Sequence, residues 1–233
     1  MKDDSGNRPV LLSVIIPAYN ESDTITSVLE RLLVLDISME IILVDDASTD
    51  DTVQKASQFP GRVRILRQEV NQGKGMAIRR ALTEAVGDVV VIQDADLEYY
   101  PEDLQELLKP FESGADVVYG VRFQNGRPEG MRFANYLANR ILAAAASLLF
   151  PGRVSDEATC YKLFRRDILL GANLQCQRFE FCPEVTAKVM RRGIRIVEVP
   201  VRYTPRTVEE GKKITWQDGF QALWTLLKYR FVR

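Results

Sequence analysis

The sequence predicts an α/β fold with a mostly parallel central sheet and helices on both faces. Three observations lead there. Strand, polar loop and helix recur four times, with strands beginning near residues 11, 40, 63 and 89. Intervals of that size leave room for the crossover helix that parallel neighbours require. Val89-Val-Val-Ile92 is apolar without alternation, the pattern of a strand covered on both faces. Asp94, Asp96 and Glu98 follow it directly, at the carboxyl edge where open α/β sheets place their ligand crevice.

Residues 11–16 read as the first strand, closed by Pro17. The next helix carries Ile25, Val28, Leu29, Leu32 and Leu33 at the spacing of one buried stripe. Residues 40–44 form the second strand, ended by Asp45 and Asp46, and Ser48-Thr-Asp-Asp51 offers N-cap chemistry to the helix behind it. Residues 63–66 make a third strand. Asn71-Gln-Gly-Lys-Gly75 opens a helix that runs to Ala85, and Gly87-Asp88 turns the chain into the fourth strand. Beyond it the pattern gives a helix over 102–113, a strand over 116–119, helices over 131–150 and 183–192, a strand over 194–199 and a loop over 201–211. The last helix sets Trp216, Phe220, Leu223, Trp224, Leu227 and Phe231 on one face. Such a face either packs on the core or lies in a membrane interface, with Lys228, Arg230 and Arg233 beside it. No linker rich in Pro, Gly or Ser divides the chain, so residues 1–233 are read as a single domain.

Composition excludes several chemistries. The chain has no histidine, which removes Ser-His-Asp catalysis, His-Glu-x-x-His metal sites and any histidine base. Cys160, Cys176 and Cys182 form an odd set without a Cys-x-x-Cys pair, which argues for a reducing compartment and against structural zinc. No Gly-x-Gly-x-x-Gly follows the first strand, which disfavours a dinucleotide-binding dehydrogenase. No apolar run reaches the roughly 20 residues that span a bilayer, and the polar first nine residues do not read as a signal peptide. The expected location is therefore cytoplasmic, and no nucleic-acid partner is expected. Charge is divided unevenly: residues 1–100 hold 10 basic and 17 acidic side chains, residues 101–233 hold 21 and 15. The two halves are expected to meet different partners.

The loops after the early strands would gather on one edge of the sheet. Asp94, Asp96 and Glu98, spaced two apart, can point to one side of an extended segment. Hard oxygen ligands of this kind suit Mg²⁺ or Mn²⁺; the alternative is a solvated acidic turn ahead of the helix at Pro101. Asp45 or Asp46 could accept hydrogen bonds from a nucleobase or ribose, and Tyr19 could stack on the base. Lys74, between two glycines, either meets a phosphate or merely marks a helix start.

Taken in order, these motifs resemble the glycosyltransferase family 2 enzymes of GT-A fold, a Rossmann-like architecture, in the branch similar to dolichol-phosphate mannose synthase. The resemblance runs through Val14-Ile-Ile-Pro-Ala-Tyr-Asn-Glu21, Val44-Asp-Asp-Ala-Ser-Thr-Asp50, Asn71-Gln-Gly-Lys-Gly75, Asp94-Ala-Asp96, Tyr119-Gly-Val-Arg122, Asp156-Glu-Ala-Thr-Cys-Tyr-Lys162 and the segment 202–213. It implies a metal-dependent, inverting transfer from a nucleotide-sugar (a GDP- or UDP-sugar) to a polyprenyl phosphate, with peripheral contact at the inner face of the membrane. The donor half would be about 10–98 and the acceptor half about 99–233. The resemblance places Pro17, Ala18, Tyr19, Glu21, Asp46, Lys74 and Asp94 on the donor nucleotide. It places Asp94 and Asp96, with Glu98 where the mannose synthases have Gln, on Mg²⁺ or Mn²⁺. Arg122, Arg202 and Lys213 would receive the acceptor phosphate, and Asp96, Arg122 and Asp156 form the expected catalytic set.

A phosphate acceptor agrees with the missing histidine, since a phosphomonoester is already ionised near pH 7. A saccharide or lipid hydroxyl acceptor, the alternative, would need a carboxylate base. Asp156 and Glu184 are the candidates, although Glu184 also reads as a helix N-terminal charge beside Pro183. A non-catalytic nucleotide-sugar sensor is the remaining reading.

Overall fold

The computed structural model describes residues 10–206 and 216–232. Seven strands, β1 (Leu12–Ala18), β2 (Met39–Asp45), β3 (Val63–Arg67), β4 (Val89–Ile92), β5 (Val117–Val121), β6 (Lys162–Arg165) and β7 (Ile196–Pro200), form one sheet in the order β3-β2-β1-β4-β6-β5-β7. Pairing is parallel from β3 to β4 and again between β5 and β7. Only β6 runs antiparallel to its neighbours β4 and β5. The mostly parallel α/β architecture read from the sequence is thus the one observed.

Continuous apolar runs end up in the sheet centre, as burial on two faces requires. Every residue of β4 and of β5 is buried. Helices α1 (Ile25–Leu33), α2 (Thr52–Ala56) and α3 (Lys74–Glu84) connect the parallel strands of the first half. The stripe expected on α1 is buried at Ile25, Val28, Leu29 and Leu32. A 3₁₀ turn at Pro101–Asp103 leads into α4 (Leu104–Glu112).

Three local expectations need correction. The first strand does not stop at residue 16 but continues through Pro17 to Ala18. Pairing with β4 ends at Ile15 while pairing with β2 continues to Ala18. Pro17 therefore sits where the strand is paired on one side only, and its missing N–H is tolerated. Strand β6 and the short helix α6 (Arg166–Gly171) were not expected at all. With four residues bounded by Lys162 and Arg165, β6 shows neither a long apolar run nor alternation.

The third correction concerns the C-terminal helices. Helices α5 (Phe133–Leu149), α7 (Phe181–Arg191) and α8 (Trp216–Phe231) pack on one another. Helix α8 turns Thr225, Leu226 and Tyr229 inward. Its aromatic stripe faces the other way: Trp216, Phe220, Trp224 and Phe231 are 67–81% exposed. Of the two readings left open for that stripe, its aromatics do not follow core packing, while Leu223 packs against the core.

The β1–β4 junction is closed by Gly87, whose N–H donates to Ser13 Oγ at 2.9 Å. A Cβ there would lie 2.6 Å from Ser13 Oγ and 2.7 Å from the Ser13 backbone nitrogen. Overpacking of that kind costs about 1–3 kcal/mol. Gly87→Ala is accordingly expected to lower the urea-derived unfolding free energy by about 2 kcal/mol. A change within roughly 0.5 kcal/mol, the range of ordinary surface substitutions, would show that β1 and β4 are less tightly joined than described.

Candidate functional site

The loops after β1 and β2 are clipped together by short polar side chains. Asn20, in the left-handed region at φ 51°, accepts the Thr49 N–H at 2.8 Å and donates its own N–H to Ser48 Oγ at 3.0 Å. The Asp50 carboxylate accepts the N–H groups of Ser22 and Thr52 and the Thr52 hydroxyl. Burial opposes ionisation of Asp50, but these hydrogen bonds outweigh it and lower its pKa to about 2. Thr52 Oγ1 in turn accepts the Glu21 N–H at 2.8 Å. Ser, Thr, Asn and Asp in these loops thus hold the half-buried Pro17 and Tyr19, and the buried Ala18 and Glu21, at the carboxyl edge of the sheet.

Asp46, assigned to the nucleotide by the resemblance, also organises the loop ahead of α3. Its Oδ1 accepts Gln68 Nε2 at 2.8 Å and the Gln72 N–H at 2.7 Å, and its Oδ2 accepts the Gly73 N–H at 2.7 Å. Each oxygen thus accepts a backbone N–H of the loop that starts α3. Asp45 is fully buried and accepts the Ser48 N–H through Oδ1. The loop held by Asp46 presents Lys74, whose Nζ contacts Asp94 Oδ1 at 2.5 Å. Burial alone would raise the Asp94 pKa, but Lys74 holds it below the usual carboxylate range.

The acidic stretch after β4 is a turn rather than an extended segment. The chain turns at residues 95–96 and Leu97 adopts φ 61°, and together these break the alternation that would have aligned Asp94, Asp96 and Glu98. Asp94 turns to Lys74. Asp96 Oδ2 meets Arg206 Nη2 at 2.9 Å. Glu98 accepts the Arg206 N–H at 2.6 Å and the Tyr203 hydroxyl at 3.1 Å. Among the described residues no three His, Cys, Asp or Glu side chains are set together to hold a metal.

The donor set nevertheless fits a hard cation. It consists of carboxylate oxygens on the sheet edge, and Asp96 is short of positive charge. Burial first, then repulsion by Asp94 and Glu98, push its pKa up to about 7 against the pull of Arg206. Asp94 and Asp96 are the residues that could hold Mg²⁺ or Mn²⁺. Glu98 is committed through both oxygens to residues 203 and 206.

Sequence reasoning missed Arg206. Its Nη1 lies 3.2 Å from Glu21 Oε2, so one guanidinium joins the β1 loop to the β4 turn. The chain reaches this point from β7, at the far end of the sheet, and a bridge between Tyr99 and Tyr203 fastens it beside β4. The sequence signals were a basic residue beside Pro205 and its place inside the segment 202–213 that carries the resemblance.

The expected acceptor residues lie apart and are paired. Arg122 is buried, and its guanidinium forms a two-pronged contact with Asp156, Nε to Oδ2 at 2.8 Å and Nη2 to Oδ1 at 2.7 Å. The Arg122 N–H also donates to Asp156, so this carboxylate has little capacity left to act as a base. Asn139 Oδ1 accepts from Arg122 Nη2 at 3.4 Å, and the Tyr203 ring lies 5.0 Å from the guanidinium. Arg202 is instead bound to Asp103 at 2.6 Å and stacks over Tyr100. Lys213 lies outside the described residues. Glu184, the other base candidate, is fully buried and accepts from the Gln175 N–H, Lys188 and the Tyr229 hydroxyl.

Comparison with known proteins places this geometry. The family model described as "Glycosyl transferase family 2" matches residues 13–170. A dolichol-phosphate mannosyltransferase of Pyrococcus furiosus is 29% identical over 208 residues, covering 86% of this chain and 58% of that protein. An undecaprenyl-phosphate 4-deoxy-4-formamido-L-arabinose transferase of Edwardsiella ictaluri is 32% identical over 210 residues, covering 86% and 62%. The chain thus spans about three fifths of the length of these curated relatives. Glucosyl-3-phosphoglycerate synthase of Mycobacterium tuberculosis, solved with Mn²⁺, UDP and phosphoglyceric acid, superposes with a TM-score of 0.74 at 25% identity, covering 96% of this chain and 80% of that one.

The Arg122–Asp156 pair is the most deeply buried ion pair of this region, with side chains 6% and 0% exposed. Removing one partner of such a pair leaves an uncompensated buried charge and costs about 3–5 kcal/mol. Asp156→Asn is expected to lower stability by about 3 kcal/mol in chemical denaturation at neutral pH. An Asp156 that serves only as a base would leave stability unchanged on substitution.

Proposed function

The chain belongs to glycosyl transferase family 2, and from that premise we propose that it transfers a sugar from a nucleotide-sugar to a polyprenyl phosphate. On this reading the loops after β1, β2 and β4 cradle the donor. Pro17, Ala18, Tyr19 and Glu21 border the nucleotide, and Asp46 keeps the α3 loop in place. Lys74 meets a donor phosphate. Asp94 and Asp96 would hold Mg²⁺ or Mn²⁺, which when bound supplies charge stabilisation for the departing diphosphate. Glu98 is left to position the segment around residues 203–206.

The acceptor's ionised phosphate oxygen attacks the anomeric carbon as the bond from that carbon to the diphosphate oxygen breaks. The bonding pair leaves with the nucleoside diphosphate, and one displacement inverts the anomeric configuration. No proton has to be removed from a phosphomonoester near pH 7. On this reading Arg122, Arg202 and Lys213 meet the acceptor phosphate, Arg122 and Arg202 exchanging Asp156 and Asp103 for it.

One observation carries the choice of a lipid acceptor. Helix α5 holds Asn139 against Arg122 and at the same time leaves Phe133, Leu137, Ile141 and Leu148 exposed along one stripe. It packs beside α8, whose exposed aromatics lie near Lys228 and Arg230. No helix among the described residues is long and apolar enough to cross a membrane. These two faces fit a membrane interface at the inner leaflet, where the apolar tail of the acceptor resides. A hydroxyl acceptor is less well served, because Asp156 and Glu184 are already committed to other groups.

The test is transfer of labelled sugar from UDP- and GDP-sugars to a polyprenyl phosphate in mixed micelles, with and without Mn²⁺. Product is expected only with metal and only on the phosphate. Asp96→Ala should lower kcat/KM by about a hundredfold or more, since metal charge stabilisation is worth several kcal/mol. Product on free hydroxyl acceptors alone, or full activity in Asp96→Ala, would overturn the assignment.

A further inference from the structure

Three carboxylates border Arg206 at the donor crevice: Glu21 from the β1 loop, and Asp96 and Glu98 from the β4 turn. The guanidinium meets the first two and the backbone N–H the third. Arg206 Nη1 lies 3.2 Å from Glu21 Oε2, its Nη2 lies 2.9 Å from Asp96 Oδ2, and its backbone N–H donates to Glu98 Oε1 at 2.6 Å. The side chains involved are largely enclosed, at 17% for Arg206, 9% for Glu21 and 14% for Asp96. The placement is built rather than incidental. Glu98 holds the segment through the Tyr203 hydroxyl at 3.1 Å and through its carbonyl to the Thr204 N–H at 2.9 Å. The Tyr203 ring packs 5.2 Å from that of Tyr99.

We propose that Arg206 is the resident counter-cation of this crevice and competes with the divalent metal for Asp96. The inference rests on the metal site put forward above. A guanidinium is always charged and presents its donors as a planar fork, so one side chain can serve carboxylates from two loops at once. The Asp96 oxygen that accepts from Nη2 is among those a metal would take. Two cations on that carboxylate repel each other, so binding of one weakens the other by the same factor. Metal alone therefore binds poorly. Metal with a nucleoside diphosphate binds better, because the diphosphate adds negative charge that offsets the second cation. Arg206 thereby couples metal occupancy to the presence of donor and disfavours a metal-loaded, donor-free crevice.

The experiment is titration of Mn²⁺ into wild type and Arg206→Gln, reading free Mn²⁺ by electron paramagnetic resonance, with and without UDP or GDP. Without nucleotide the variant is expected to bind Mn²⁺ about tenfold more tightly, the scale set by removing one charge a few ångströms away in a partly screened site. The gain on adding nucleotide is expected to shrink in the variant. Equal or weaker Mn²⁺ binding by Arg206→Gln, with wild type still binding metal plus nucleotide, overturns the competition and leaves the metal site standing. Absence of Mn²⁺ binding in both proteins, even with nucleotide, overturns the metal site itself and the competition with it. Should Arg206→Gln fail to fold, the wild type supplies the readout. The Arg206 Nε–Hε resonance, assigned by its loss in Arg206→Lys, should shift as Mg²⁺ and nucleotide saturate the protein. An unchanged resonance at saturation overturns the proposal.

Discussion

The constraint on which the rest of this structure depends is negative charge packed against the end of a buried strand. Strand β4 is enclosed on both faces, and the chain leaves it through Asp94, Asp96 and Glu98. Carboxylates crowded in a partly dry crevice are costly unless cations or donors meet each of them. Each nearby element answers that demand. The α3 loop, itself organised by Asp46, brings Lys74 to Asp94. The segment after β7 crosses from the far end of the sheet to bring Arg206 to Asp96 and Glu21. Such an arrangement suits a ligand that brings its own metal and its own phosphates.

The second half of the chain links that crevice to the molecular surface. Tyr203 touches Glu98 through its hydroxyl and Arg122 through its ring, so donor and acceptor candidates share one aromatic side chain. Arg122 reaches α5 through Asn139. Glu184 on α7 joins the loop at Gln175 to Tyr229 on α8, and that loop packs against Gly75 at the start of α3. The exposed stripes of α5 and α8 are thus mechanically continuous with the residues proposed to hold substrate. The uneven charge of the two halves comes mainly from basic residues, 10 in residues 1–100 against 21 in residues 101–233.

Much of the fold was legible because its signals are local. The βαβ rhythm, the α1 stripe and the unbroken β4 run are written in spacing over a few residues, and each element formed within a residue or two of its expected place. The family was legible from motifs that repeat this local logic. What was not legible is non-local. Strand β6 is short and bounded by charges, so no periodicity announced it. The three acidic residues after β4 looked aligned because they are spaced by two; a turn at residues 95–96 and the left-handed Leu97 redirect them. Arg206 meets Glu98 and Glu21 across 108 and 185 residues of chain, a pairing that no window along the sequence contains. Asp46 was assigned to a ligand by motif, and its hydrogen bonds to the Gln72 and Gly73 N–H groups, across more than twenty residues, were not legible there. The exposed face of α8 was a matter of which side the protein turned inward, and periodicity alone is symmetrical on that point.

On the reading proposed above, the carboxylates after β4 are the seat of metal and diphosphate, and Arg206 is the cation that meets them otherwise. Anomalous diffraction at the manganese edge, from crystals grown with Mn²⁺ and a nucleoside diphosphate, addresses it most directly. A manganese peak is expected about 2.1 Å from an Asp96 carboxylate oxygen, the usual hard-cation distance, with the Arg206 guanidinium displaced from that oxygen. Nucleotide density accompanied by a manganese peak elsewhere, or by Arg206 still seated on Asp96, would contradict it.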